Sequence, residues 1–181
     1  MHSLPKLASS SLNAGTALIN LNEERIVVSI MSCKLFPNAV FSELLNEVNS
    51  LVTDSTIVAL VPQSLTPPLE AVIVASLYAL RRRKHVKKIR NPALLLLKIL
   101  YAKKQINEVI DLLTSHLSSE VSLIIITSQD SYAEVSSRVL DICSKYAVCQ
   151  YRKREELSLE ERAVLIKNLL TAINKVYLQE L

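Results

Sequence analysis

Residues 121–127, VSLIIIT, form the clearest strand pattern of the chain, because aliphatic and β-branched residues follow one another without a charge. Residues 55–61, STIVALV, carry a similar apolar run. Continuous runs of this length are typical of inner strands that are covered on both faces. Shorter β-branched runs at 16–20 and 25–31 are spaced for a hairpin or two adjacent strands, and 147–151 for a further short strand.

Helical periodicity fills the intervals between these strands. Ser158 and Glu161 form a capping box at the start of the last helix. Pro92 suits the first turn of a central one. The predicted order β-β-α-β-α-α-α-β-α-β-α indicates an α/β (mixed α+β) single domain, with one mixed sheet of about four or five strands packed by helices. We expect residues 1–15 to be a flexible amino-terminal lead-in and residues 16–181 to be the domain.

Positive charge is concentrated in residues 81–90, RRRKHVKKIR, which we call the basic run. The run holds seven basic residues and no acid, and the rest of the chain has 14 basic against 17 acidic residues. A solvated helix face normally mixes both signs, so the run indicates a surface that contacts phosphate. The alternative is an exposed helix end whose charges suit the helix dipole.

The predicted RNA-binding residues are the basic side chains of the run and two neighbouring amides. On a helix, Arg81, Lys84 and Lys88 would share one face. Asn91 and Gln105 could read a base edge, although Asn-Pro is equally an ordinary helix cap. Tyr78 and Tyr101 are the aromatic residues near enough for base stacking. The full set is Arg81, Arg82, Arg83, Lys84, Lys87, Lys88, Arg90, Asn91 and Gln105.

The scarcity of glycine argues against several classes of enzyme. The single glycine, Gly15, cannot supply a P-loop, a dinucleotide fingerprint, a kinase glycine-rich loop or a nucleophile elbow. Adjacent glutamates, such as Glu160 and Glu161, point in different directions on a helix and are better explained by capping. We therefore predict a non-enzymatic protein with no catalytic residue, no cofactor and no small-molecule substrate.

The three cysteines give neither a disulfide framework nor a metal motif, because their number is odd and no Cys-x-x-Cys pair exists. We expect buried, reduced thiols in a cytoplasmic protein, and no metal site. Cys143 lies on the apolar side of its predicted helix and is expected in the protein core. No membrane span is predicted, because the longest uncharged apolar run, 71–80, is about half of the required length.

The central stretch resembles the small kinase-associated subunits of the KEOPS (EKC) complex, the Cgi/TPRKB family. Residues 56–61 match the family strand, and Ala75, Ala79 and the basic run match its helix and connector. Asn91 falls at the family Asn, residues 105–108 (QINE) at the start of the next helix, and residues 123–127 at the aliphatic strand. The chain departs from the family pattern at Leu95 (usually Glu), Tyr101-Ala102 (Ser-Gly or Ser-Pro), Val109 (Ala) and Thr114 (Gly).

The resemblance implies a non-catalytic subunit that binds the atypical kinase of the complex. It also implies a role in recruiting tRNA, through the 3′ acceptor end, for threonylcarbamoyladenosine modification. We expect the kinase to contact an aliphatic surface, although ordinary core packing is the alternative for each residue. The candidate partner-binding residues are Leu77, Leu80, Leu96, Ile99, Leu100, Ile173 and Tyr177. A protein-only scaffold or homodimer without RNA binding is the competing hypothesis.

Overall fold

The computed structural model describes residues 15–21, 24–82, 91–152 and 157–177, with only the backbone described at 21, 81, 82, 172 and 175–177. Within these ranges lie five strands and six α-helices. The strands are β1 (Thr16–Leu21), β2 (Glu24–Leu35), β3 (Ile57–Pro62), β4 (Glu120–Ser128) and β5 (Ala147–Tyr151). The helices are α1 (Phe41–Asn49), α2 (Leu69–Arg82), α3 (Pro92–Leu100), α4 (Ile106–Ser115), α5 (Gln129–Tyr146) and α6 (Leu159–Tyr177).

The strands form one sheet in the order β1-β2-β4-β3, and β5 also pairs with β2. One edge of β2 is taken by β4, so β1 and β5 follow one another along the opposite edge. The predicted α+β single domain with one sheet of about five strands is confirmed. All strand pairs are antiparallel rather than mixed in direction. The order of elements does not decide strand direction, because that depends on the end of the sheet to which each helical connection returns.

Helices cover both faces of the sheet and give the domain three layers. The first core cluster lies beneath α2, α3, α4 and α6, and Ile124 and Ile126 of β4 contribute to it. The second lies beneath α1 and α5, and Leu123 and Ile125 contribute to that one. Residues 121–127 are therefore buried throughout, as their continuous apolar pattern predicts. Burial of each of these aliphatic side chains stabilises the fold by roughly 1.5–3 kcal/mol.

Gly15, the last residue of the predicted lead-in, directly precedes β1 and hydrogen-bonds to β2. Its backbone is buried, and its carbonyl oxygen accepts a hydrogen bond from the amide of Ile30 at 2.9 Å. Its φ angle is +82°, a conformation that glycine adopts without a steric penalty. Residues 1–14 of the predicted lead-in lie outside the described residues.

The expectation of reduced thiols is wrong for two of the three cysteines. Cys33 of β2 lies directly opposite Cys149 of β5, and a disulfide joins them across a Cα–Cα distance of 4.1 Å. Cys143 is free and buried, as predicted for a core residue. Sequence spacing did not indicate the pair, because it depends on β5 returning to β2 in one particular register.

Candidate functional site

The basic run is attached to the body between α2 and α3. Helix α2 ends at Arg82, and Asn91 directly precedes α3, which begins at Pro92. The inner residues Ala75 and Ala79 of α2 are fully buried in the first core cluster, and Ala93 of α3 joins the same cluster. The points at which the chain enters and leaves the run are thus held by packed helices.

Most of the side chains predicted to contact phosphate lie outside the described part of the structure. Arg81 and Arg82 lie in the last turn of α2, but their side chains are outside the described part of the structure. The other basic residues of the run lie wholly outside the described residues: Arg83, Lys84, Lys87, Lys88 and Arg90. The prediction that they bind RNA therefore rests on the sequence.

Asn91 acts as the N-cap of α3. Its side-chain oxygen accepts a hydrogen bond from the backbone amide of Ala93 at 2.9 Å, and its extended backbone leads into Pro92 at the first helical position. Asn is favoured at the N-cap because its side chain accepts a hydrogen bond from a backbone amide that has no partner within the helix. Pro is favoured at the first helical position because it has no such amide. The capping interpretation of Asn91 is confirmed, so the Oδ1 atom of Asn91 is already engaged.

Gln105 is exposed but lies at the opposite end of α3 from Asn91. The amide of Lys103 donates to the carbonyl of Lys98 at 3.1 Å, which holds the chain against the carboxyl end of α3 just before Gln105. A nine-residue helix such as α3 is about 13 Å long. Asn91 and Gln105 therefore do not converge on one base, and Asn91 is the one that directly follows the basic run in sequence.

Gln105 has a structural role at the start of α4. The carboxylate of Glu108 accepts hydrogen bonds from the backbone amides of Gln105 at 2.8 Å and Lys104 at 3.0 Å. This places a negative side chain in the first turn of the helix, where the dipole favours it. The polar sequence at 104–108 is thus explained largely by helix capping.

The two aromatic residues predicted to stack on bases both make contacts within the fold. The hydroxyl of Tyr101 donates to the carbonyl of Leu65 at 3.1 Å, and burial raises the pKa of Tyr101 above its ordinary value. Tyr78 is half-buried and packs against the first core cluster. An exposed ring face is needed for stacking on a base, so neither residue is free to act as a full platform.

Several predicted partner-binding residues face the interior, which corrects their assignment to an exposed face. Leu96 and Ile99 are 0% exposed, and Ile173 is 2% exposed. Leu77, Leu80 and Leu100 are half-buried and pack against the same cluster. Ordinary core packing, the alternative for each residue, describes Leu96, Ile99 and Ile173. The three half-buried leucines contact the core and remain partly exposed. The side chain of Tyr177 lies outside the described residues.

Helix α6 presents an aliphatic surface that the sequence pattern did not distinguish from its buried stripe. Ile166 and Leu170 are 42% and 40% exposed, whereas Leu169 and Ile173 are buried. Leu159 and Val164 of the same helix are also exposed, at 82% and 58%. We call Leu159, Val164, Ile166 and Leu170 the α6 aliphatic surface. Apolar residues occur on more than one side of α6, so periodicity alone could not show which side the core would cover.

Comparisons with known proteins do not place the chain in a family. No family model matches it, and no curated protein matches it either. Among the helices that the structure describes, none combines the length and the apolar character needed to cross a membrane.

Proposed function

We propose that the protein is a non-catalytic subunit that binds RNA through the basic run and a protein partner through an aliphatic surface. From the resemblance of residues 55–145 we further propose that the RNA is tRNA and the partner an atypical kinase, as in a KEOPS-like complex. The observation that carries the proposal is the basic run itself, with seven cations and no acid in a chain that is otherwise slightly acidic.

The position of the run supports phosphate binding. Its two ends are anchored by α2 and α3, which pack on the same face of the sheet. Cations in a segment that is anchored at both ends to the folded domain lose less conformational entropy on binding a phosphate backbone than cations in an unattached terminal segment. If the run neutralises about four phosphates, the affinity for RNA should fall on the order of 10²-fold as the salt concentration rises from 50 to 200 mM.

The backbone at Ala102 supports the resemblance. Ala102 has a φ angle of +52°, and the amides of Ala102 and Lys103 bond to the carbonyls of Ile99 and Lys98. These bonds form the C-terminal motif in which glycine is usually found. The family that the chain resembles carries Ser-Gly or Ser-Pro at positions 101–102, and the backbone here has the geometry that the glycine, but not the proline, adopts.

The α6 aliphatic surface is the best candidate for the protein partner. Its four side chains lie on one helix and are each at least 40% exposed. Leu159, Ile166 and Leu170 share one side of the helix by its 3.6-residue period, whereas Val164 lies on another side. Exposed apolar residues that share a side often mark protein interaction sites. The same surface also suits the second hypothesis, a protein-only scaffold or homodimer, because self-association would cover it equally well.

RNA binding is tested by fluorescence anisotropy of labelled tRNA, intact or trimmed at its 3′ end, across a salt series. The variant Arg82→Glu/Arg83→Glu/Lys87→Glu should lose at least about tenfold in affinity and show a shallower salt dependence. The matched control reverses three exposed cations on β2 and α5, Arg25, Lys34 and Arg138, with the same change in net charge. Equal losses in both variants, or none in the first, would exclude the run as the RNA site.

The partner is tested by capture from the extract of the source cell, followed by identification of the bound kinase. Ile166→Asp/Leu170→Asp should abolish capture, whereas Asn168→Asp, an exposed polar position on the same helix, should not. Light scattering of the isolated protein addresses the second hypothesis. A dimer that the Ile166→Asp/Leu170→Asp variant converts to a monomer would favour the homodimer over the kinase adaptor.

A further inference from the structure

All three cysteines of the chain meet on the face of the sheet that α1 and α5 cover. Their three Sγ atoms lie within 4.8 Å of one another, although Cys33 and Cys149 are separated by 116 residues. Cys33 and Cys143 are each 2% exposed, and Cys149 is half-buried. The three cysteines thus form one cluster in the interior of the domain and are not separate surface residues.

Three rigid elements hold the cluster together. Cys33 and Cys149 are cross-strand partners on β2 and β5, and Cys143 lies in the last turn of α5. Helix α5 passes directly into β5, and the carbonyl of Tyr146 at this junction accepts a hydrogen bond from the amide of Phe36 at 2.8 Å. The junction fixes Cys143 above the strand pair, and the pairing of β2 with β5 holds Cys33 opposite Cys149.

We propose that Cys33, Cys143 and Cys149 form a site for one thiophilic divalent metal ion, such as Zn²⁺, when the disulfide is reduced. A Zn–S bond of about 2.3 Å places the sulfurs of a tetrahedral site about 3.8 Å apart. All three Sγ atoms already lie within 4.8 Å of one another, so after reduction the bonded pair, Cys33 and Cys149, has only to separate to that spacing. Thiolate ligands select soft ions such as zinc over magnesium or calcium. Three protein ligands leave one coordination position for solvent, which can approach beside the half-buried Cys149.

The site is controlled by the oxidation state of the cysteines. A dithiol reductant transfers two electrons to the Cys33–Cys149 disulfide, yielding two protein thiols and the oxidised cyclic disulfide of the reductant. One metal ion then replaces the protons of three thiols, and three protons are released to solvent. In the oxidised protein only Cys143 retains a thiol, so the three-sulfur site cannot form.

The sequence does not predict this site because its ligands are not close along the chain. Metal motifs are recognised by short spacings between pairs of ligands. Cys143 and Cys149 are six residues apart, and the third ligand, Cys33, comes from β2, which is distant from both along the chain. The antiparallel pairing of β5 with β2 supplies the proximity that spacing lacks.

The experiment is a titration of the full-length reduced protein with Cd²⁺ as a spectroscopic probe, followed by competition with Zn²⁺. We expect thiolate-to-metal charge-transfer absorption that saturates at one ion per chain, with three protons released in weakly buffered solution. The oxidised protein should show no such absorption. Cys143→Ala should weaken binding by at least about 100-fold, because one of three thiolates is lost.

Val139→Ala is the matched control, since it shortens another buried side chain of α5 in the same core cluster and leaves all sulfurs in place. It should bind the ion as the parent protein does. No saturable binding to the reduced protein, or equal binding by the oxidised protein or by Cys143→Ala, would overturn the proposal. Proton release needs no variant, so release of fewer than three protons per ion would overturn it even if Cys143→Ala failed to fold.

Discussion

Gly15 and Arg152 meet where β1 and β5 come end to end along one edge of β2. The amide of Ile30 donates to the carbonyl of Gly15 at 2.9 Å, and the carbonyl of Ile30 accepts from the amide of Arg152 at 3.0 Å. Ile30 thus joins the two short strands to β2 at a single point. A Cβ atom at position 15 would overlap the carbonyl oxygen of Arg152, so the single glycine of the chain lies where a side chain does not fit.

Gly15→Ala should therefore destabilise the protein. The φ angle of +82° disfavours any L-residue, and the backbone of Arg152 has to move to admit a methyl group. We expect the free energy of unfolding to fall by roughly 2 kcal/mol, as measured by urea denaturation. Asn20→Ala, an exposed change in β1, should shift it by less than about 0.5 kcal/mol. A Gly15→Ala variant as stable as the parent would show that the two strands do not meet so closely.

The elements of this fold were largely predictable because their signals are local. Residues 55–61 and 121–127 carry apolar runs and correspond to β3 at the edge of the sheet and to β4 in its interior, respectively. The capping box at Ser158 and Glu161 was also evident, and both of its hydrogen bonds are present, at 2.8 and 3.2 Å. Such motifs need only neighbours in sequence, so no knowledge of the tertiary structure was required.

The parts that the sequence missed depend on distant pairing. The predicted strand 25–31 stops short of the observed end of β2 at Leu35, because pairing with β4 and β5, both distant along the chain, extends β2 through residues 32–35. The Cys33–Cys149 disulfide was missed for the same reason. Likewise, both Ile166 and Ile173 belong to an apolar stripe of α6, and only the position of α6 on α2 and α3 leaves Ile166 exposed and Ile173 buried.

Ala102→Gly should stabilise the protein. Ala102 is exposed and holds a φ angle of +52° at the carboxyl end of α3, where glycine avoids the steric penalty of the left-handed conformation. We expect the free energy of unfolding to rise by roughly 0.5–1 kcal/mol, visible as a higher Tm. Ala163→Gly, an exposed position within α6, should instead lower it by about 1 kcal/mol. A loss of stability at both positions would contradict the assigned backbone geometry.

Substitutions of Asn91 can separate its capping role from RNA contact. Asn91→Ala removes the acceptor for the amide of Ala93 and should destabilise the protein by about 1 kcal/mol, whereas Asn91→Ser keeps a capping hydroxyl and should have little effect. If Asn91 only caps α3, the Ser variant binds tRNA with unchanged affinity in the anisotropy assay. A tenfold loss for a stable Ser variant would mean that the Asn91 amide also contacts RNA.

The Tyr146–Glu47 hydrogen bond, at 2.6 Å, should make stability depend on pH at both extremes. The Tyr146 hydroxyl and then Lys145 hold the pKa of Glu47 below its ordinary value of 4.5, so this contribution is present above that pH and is lost as Glu47 is protonated on acidification. Hydrogen bonding to Glu47 and burial raise the pKa of Tyr146 from 10.0 to about 12, so its contribution is present below pH 10 and is lost toward pH 12.

Tyr146→Phe should consequently lower the Tm at neutral pH and flatten both the acidic and the alkaline limbs of a plot of Tm against pH. Tyr132→Phe is the matched control, because the hydroxyl of Tyr132 bonds to Tyr151 and not to Glu47. The control should leave the acidic limb unchanged. If Tyr146→Phe preserves the acidic limb of the parent protein, Glu47 does not depend on this hydrogen bond for its low pKa.

Cys143 should react slowly with alkylating agents in the folded protein. Burial raises the pKa of its thiol from 9.0 to about 11, and the thiolate is the form that attacks. A rise of this size lowers the thiolate fraction near pH 8 by about 100-fold, and the packing of α5 against the sheet limits access further. Iodoacetamide labelling followed by mass spectrometry should show little modification of the native oxidised protein and rapid single labelling once guanidinium unfolds it. Native labelling at the rate of the unfolded chain would mean that α5 does not cover the thiol.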